Sequence, residues 1–177
     1  MTEAVRAPHP HQVQDFAAVA RQSTRDEFVQ AFPHPFLVRA VPLAPSRRAV
    51  LSTSGLLDDL DDEMESREAR TTVLPIRKMT AVSPGMITLG RTERNDVVID
   101  HVQISSFHAF FRDDGGVTLA DAGSRNGTWV AGELLVPKGP PSAILASGDA
   151  IRFAQLEFTF MTSSACWNVL RVAAPRL

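Results

Sequence analysis

Three loop strings in the C-terminal half gather side chains suited to gripping an anion. They are Gly90-Arg91-Thr92-Glu93-Arg94-Asn95-Asp96, Ser105-Ser106-Phe107-His108 and Asp121-Ala122-Gly123-Ser124-Arg125-Asn126-Gly127-Thr128. A guanidinium presents a planar fork that holds two oxygens, and its charge-assisted bonds are about twice as strong as neutral ones. Serine hydroxyls and backbone N–H groups can fill the remaining oxygen positions, and a carboxamide both donates to and accepts from a peptide amide. The set suits a phosphate with a peptide backbone beside it; ordinary turn chemistry is the alternative.

Other chemistries fit the residues less well. Ser105, Ser106 and His108 with Asp121 have the composition of a hydrolase, but no Gly-x-Ser-x-Gly elbow is present, so no enzyme is expected. His9, His11 and His34 have no partner at ligand spacing on a regular element, so neither a metal nor a cofactor is expected. Cys166 is the single cysteine. It can form neither an internal disulfide nor a cysteine cage, and it reads as a small buried hydrophobe.

The loops need a scaffold, and the flanking sequence supplies one. From Thr72 onward come short apolar runs: VLPIRK, MITLG, DVVI, HAFFR, VTLAD, TWVAGELL, SAILA, AIRF and LEFTFM. Pro-Gly, Asp-Asp-Gly-Gly, Lys-Gly-Pro-Pro and Ser-Gly-Asp separate several of them, and these are turn sequences. Many short strands at such spacing predict an antiparallel β-sandwich, with function on loops at one end. Trp129 and Phe110 are expected in its core.

Residues 1–71 read as an extension. Phe16, Val19, Ala20, Phe28 and Phe32 recur at near-helical spacing and predict one helix over about 12–31, stopped by Pro33 and Pro35. Residues 36–41 read as a short strand able to pair with 73–78. Residues 42–70, with the acidic run DDLDDEMESRE, read as a flexible solvated loop. The tail over 162–177 is expected to be free or to form a short helix. The 177 residues carry a net charge of -2, which gives no reason to expect nucleic acid or an anionic membrane as a partner. The first residues lack a secretory pattern and no run is long enough to span a bilayer, so a cytoplasmic location is expected.

Taken together, GRTERNDVVIDHVQISSFHAFF and DAGSRNGTWV resemble the signature of forkhead-associated (FHA) domains: Gly-Arg, Asn-Asp, Ser-x-x-His and Ser-x-Asn-Gly-Thr, in that order. The resemblance covers residues 72–161. It implies a sandwich of about eleven strands that binds a phosphothreonine protein or peptide, and the chain is expected to be a bacterial adaptor in Ser/Thr kinase signalling. It places the phosphate on Arg91 and Ser105, with Ser106 adding a contact, and it places the peptide on Arg125 and Asn126. Gly90, His108, Gly127 and Thr128 become structural supports. Two departures stand out: Ala131 precedes Gly132 where the family has Asn, and Ser106 replaces a longer polar residue. The neighbouring hairpin turn is therefore expected to differ. A scaffold component, for example of a secretion apparatus, binding an unphosphorylated partner is the alternative function. Thr71 and Thr72 follow the acidic run and resemble a phosphorylatable pair that such domains capture in themselves.

Overall fold

The computed structural model describes residues 13–40, 71–81, 83 and 85–172. Ten strands lie among them in two facing sheets, against the eleven or so expected. One sheet contains β1 (Phe36–Ala40), β2 (Thr71–Pro75), β7 (Thr128–Val130), β8 (Glu133–Leu134), β9 (Ala150–Phe153) and β10 (Leu156–Met161), in the order β2-β1-β10-β9-β7-β8. The other contains β3 (Ile87–Gly90), β4 (Val97–Val98), β5 (Ala109–Asp113) and β6 (Val117–Asp121), in the order β4-β3-β5-β6. Every pairing is antiparallel except β3 with β4.

Period-2 alternation assigns the faces. Ala109 and Phe111 of β5 are buried between the sheets, as are Leu156, Phe158 and Phe160 of β10. Leu37, Leu89, Leu119, Ile151 and Phe153 complete the centre of that core. Each of the Leu, Ile and Phe side chains stabilises the fold by roughly 1.5–3 kcal/mol through removal of apolar area from water. The same alternation corrects one expectation: Trp129 and Phe110 point outward and are half-buried, one stacked under Arg152 and the other against Phe107.

A helical layer covers the outer face of the larger sheet. Phe36, Val38 and Val73 pack with Phe16, Ala20, Phe28, Cys166, Trp167 and Leu170 in a second apolar cluster. These come from α1 (Val13–Gln22), α2 (Arg25–Ala31) and α3 (Ser163–Val172), the last formed by the C-terminal tail. The single helix expected over 12–31 is two. Ser23 returns its hydroxyl to the Val19 carbonyl at 2.7 Å, and Thr24 starts α2 with a capping box. In that box Thr24 N–H donates to Glu27 Oε2 at 2.8 Å, and Glu27 N–H donates to Thr24 Oγ1 at 3.3 Å. The start signal Thr-x-x-Glu stands inside the apolar periodicity and overrides it. Cys166 is fully buried, and burial pushes its thiol up to about 12, so it is inert filler.

Three further differences follow from local chemistry. Strand β2 stops at Pro75, not Lys78; as an edge strand it tolerates a residue with no N–H to donate. SAILA forms no strand, although Ser142 and Leu145 donate backbone bonds to Leu119 and Val117 beside β6. Strand β1 sits between β2 and β10, so a strand from the expected extension belongs to the sandwich itself. The acidic run over 42–70 lies outside the described residues.

Candidate phosphopeptide site

The loops after β3, before β5 and after β6 meet at one end of the sandwich. Arg91 N–H donates to the Ser105 carbonyl at 3.0 Å, joining the first two loops. Asn95 clamps the same junction, donating to the Thr92 carbonyl at 2.9 Å and the Ser106 carbonyl at 2.7 Å. Gly90 makes this approach sterically feasible. A Cβ there would stand 2.3 Å from the Ser106 carbonyl oxygen and 2.7 Å from the Asn95 amide.

His108 joins the serine loop to the third loop. Its ring is fully buried, and Ser105 N–H donates to Nδ1 at 3.1 Å. Nδ1 is therefore the acceptor, and Nε2 donates to the Gly127 carbonyl at 3.0 Å. Burial pushes the ring below its ordinary value against the opposing pull of the Gly127 carbonyl and the Asp121 charge. A neutral ring suits this pattern, in which one nitrogen accepts and the other donates.

Asp121 organises the third loop. Its Oδ1 accepts from Gly123 N at 2.7 Å and Ser124 N at 2.8 Å, while its Oδ2 accepts from Ser124 Oγ and Thr128 Oγ1, each at 2.6 Å. Burial raises the Asp121 carboxyl, but those four bonds outweigh it and hold the group below its ordinary value. Ser124 Oγ then accepts Gly127 N–H at 2.9 Å. Gly127 has φ +81°, a conformation that favours glycine, and the Trp129 ring packs against the space a side chain would need.

The candidate contact residues come to one rim on this frame. Ser105 Oγ accepts Arg125 N–H at 3.1 Å, and Asn126 donates to the Gln103 carbonyl at 2.7 Å. The Asn126 amide thus braces the serine loop as well as facing the rim. Among the described residues the ion pairs are Arg25–Asp26 and Lys78–Asp96, which leaves Arg91, Arg94 and Arg125 exposed without a carboxylate partner. Sequence reasoning missed Asn95, Asp121 and Ser124 as organisers of the site. Asp-x-Gly-Ser is an Asx-turn pattern that signals Asp121; Asn95 lies in the Asn-Asp element of the signature, but no local pattern shows that its side chain clamps two loops.

The hydrolase arrangement does not form. Both His108 nitrogens are spent on backbone groups, Ser105 Oγ meets Arg125 N–H, and Asp121 binds Ser124 and Thr128. The hairpin expected to differ keeps a turn with positive φ at both positions, Ala131 at +50° and Gly132 at +87°. Ala131 therefore occupies a strained conformation that Asn would take more readily.

Thr71 and Thr72 open β2 opposite Ala40 and Arg39. They lie at the loop end: Ala154, in the turn between β9 and β10, donates to the Gly127 carbonyl, and β1 runs toward that turn. Pairing holds both threonines in the sheet, so capture of either in the chain's own site requires the first rungs of β2 to open.

A β-sandwich whose loops gather exposed guanidiniums and serine hydroxyls on one rim is the class that fold and site define. Residues 87–154 match the family model described as FHA domain, and the chain carries a forkhead-associated domain. It is 38% identical over 74 residues to the glycogen accumulation regulator GarA of Mycolicibacterium smegmatis, covering 41% of this chain and 44% of that one. It is 37% identical over 75 residues to an oxoglutarate dehydrogenase inhibitor of Corynebacterium diphtheriae, covering 42% and 49%. The matches thus span less than half the length of these relatives. Among solved structures, Mycobacterium tuberculosis EmbR in complex with a low affinity phosphopeptide is similar with 27% identity and TM-score 0.43, covering 68% of this chain and 32% of that one. Among the described residues no helix is long and apolar enough to cross a membrane.

Proposed function

We propose that this protein is a phosphothreonine-dependent adaptor: it binds a phosphorylated segment of a partner at the rim and catalyses nothing. The observation that carries this is Arg91 and Arg125, exposed, without a carboxylate partner among the described residues and each bonded through its backbone N–H to Ser105, on loops locked by bonds from Asn95, His108 and Asp121. Arg91 and Ser105, with Ser106, take the phosphate oxygens. Arg125 and Asn126 take the peptide backbone next to the phosphothreonine. Locked loops spend little conformational entropy on binding, so the charge-assisted bonds are retained as affinity.

Relatives named as regulator and inhibitor support a regulatory role exercised by binding. A Ser/Thr kinase that phosphorylates the partner belongs to the same reading, and the sandwich over residues 72–161 with β1 is its functional unit. Titration with matched phosphothreonine, phosphoserine and unmodified threonine peptides tests it. Binding of the first alone is expected; equal binding of the unmodified peptide would favour the scaffold alternative.

A further inference from the structure

Beside the phosphate rim lies a cavity of about 440 Å³ lined by Ser83, Thr88, Thr92, Arg94, Asn95, Ser106 and Phe107. Ser106 is common to the cavity and the rim, so a peptide holding its phosphate at Ser105 and Ser106 lies next to the opening. Most polar groups of the wall are already engaged. Thr88 Oγ1 donates to Asp96 Oδ2 at 3.0 Å, Thr92 Oγ1 to the Ser106 carbonyl at 3.3 Å, and the Asn95 amide to Thr92 and Ser106. Arg94 is different: it is exposed, and none of the described carboxylates pairs with it. Phe107 forms an apolar wall, 45% exposed and stacked on Phe110 with ring centroids 6.3 Å apart.

A cavity with a cation that no described carboxylate pairs, an aromatic wall and neutral groups mostly engaged selects by charge. We propose that it takes the carboxylate side chain of an acidic residue flanking the phosphothreonine, with Arg94 the specificity-determining residue. The inference rests on the phosphopeptide reading of the rim. The methylenes of a Glu lie along Phe107 while its carboxylate meets the guanidinium, and a Lys at that place meets like charge. Asn126 stands on the opposite flank, at the Gln103 side of the serine loop, so the acidic residue lies on the side of the phosphothreonine away from it.

The test is fluorescence polarisation with phosphothreonine peptides carrying a single Glu, Ala or Lys at each of four positions on either side. At one position Glu is expected to bind about two- to fivefold tighter than Ala, the range of an exposed ion pair, and Lys weaker than Ala. Arg94→Ala should make the three peptides equal without changing affinity for the Ala peptide, and Arg94→Glu should invert the order. The melting temperature of both variants should match wild type, because Arg94 is exposed. Phosphate-dependent binding with no charge preference, or a preference that survives Arg94→Ala, overturns the inference and leaves the rim reading intact. Failure of every phosphothreonine peptide to bind overturns the rim reading and this inference with it.

Discussion

The helical layer and the loop rim both bury side chains but use them differently. In the layer, Phe16, Phe28, Phe32 and Phe36 meet edge to face or tilted, with the Phe16–Phe36 and Phe28–Phe32 centroids 5.5 and 4.9 Å apart. At the rim the buried groups are polar: His108, Asp121, Thr128 and Asn95, each bonded to a loop. Apolar contact is nondirectional and stabilises the fold, whereas hydrogen bonds at set angles fix where loops sit. Stability and binding should therefore respond to different mutations.

The largest expected effect lies in the layer. Phe28→Ala empties a fully buried site and should cost about 3–5 kcal/mol in denaturant unfolding. The fraction that remains folded should bind a phosphopeptide as wild type does; a parallel loss of affinity would show the two regions to be coupled. Next comes Arg91→Ala, which removes a charge-assisted phosphate contact. Its affinity should fall by about 30- to 1000-fold, or roughly 2–4 kcal/mol, with no change in melting temperature. Full affinity in a folded Arg91→Ala protein would remove Arg91 from the site.

His108 tests the contrast through pH. The unfolded ring takes its proton near its ordinary value of 6.5, while the folded ring, lowered chiefly by burial, takes it at lower pH. Between those two values the unfolded chain binds more protons, so stability falls as pH drops below about 6.5 and levels off under the folded value. His34 is also lowered by burial and adds in the same direction. His108→Gln should remove part of that slope in thermal melts across pH 5–7; an unchanged slope would mean that His108 bears none of it. The smallest effect belongs to Ala131→Asn, which relieves a positive φ and should stabilise by about 0.5–1 kcal/mol without altering affinity.

Much of the sandwich is legible in sequence because strand alternation and turn residues are local signals. The rim residues are legible as types: Arg91, Ser105 and Asn126 are polar beyond what a turn needs. What joins them is less so. Asn95 reaches Ser106 eleven positions away and His108 reaches Gly127 nineteen away, and such contacts appear only when strands have set the register. The helix break at Thr24 was written locally, as Thr-x-x-Glu, beneath a stronger periodicity that masked it. Trp129 and Phe110 misled for a related reason, since alternation gives two faces without saying which is inner.

The rung that pairs Ala40 with Thr71 has a consequence for the architecture's tolerance of change. Ala40 and Thr71 pair on neighbouring strands at one level, so the two points that flank the intervening sequence adjoin. Closing a connection between fixed points costs little more as it lengthens, about 0.6 kcal/mol per doubling. This rung is therefore a graft point: a reporter or a whole domain could be spliced between its two sides while the register of β1 on β10 stays as it is. Both sides of the rung, Ala40 and Thr71, stand at the end of the sandwich that bears the rim.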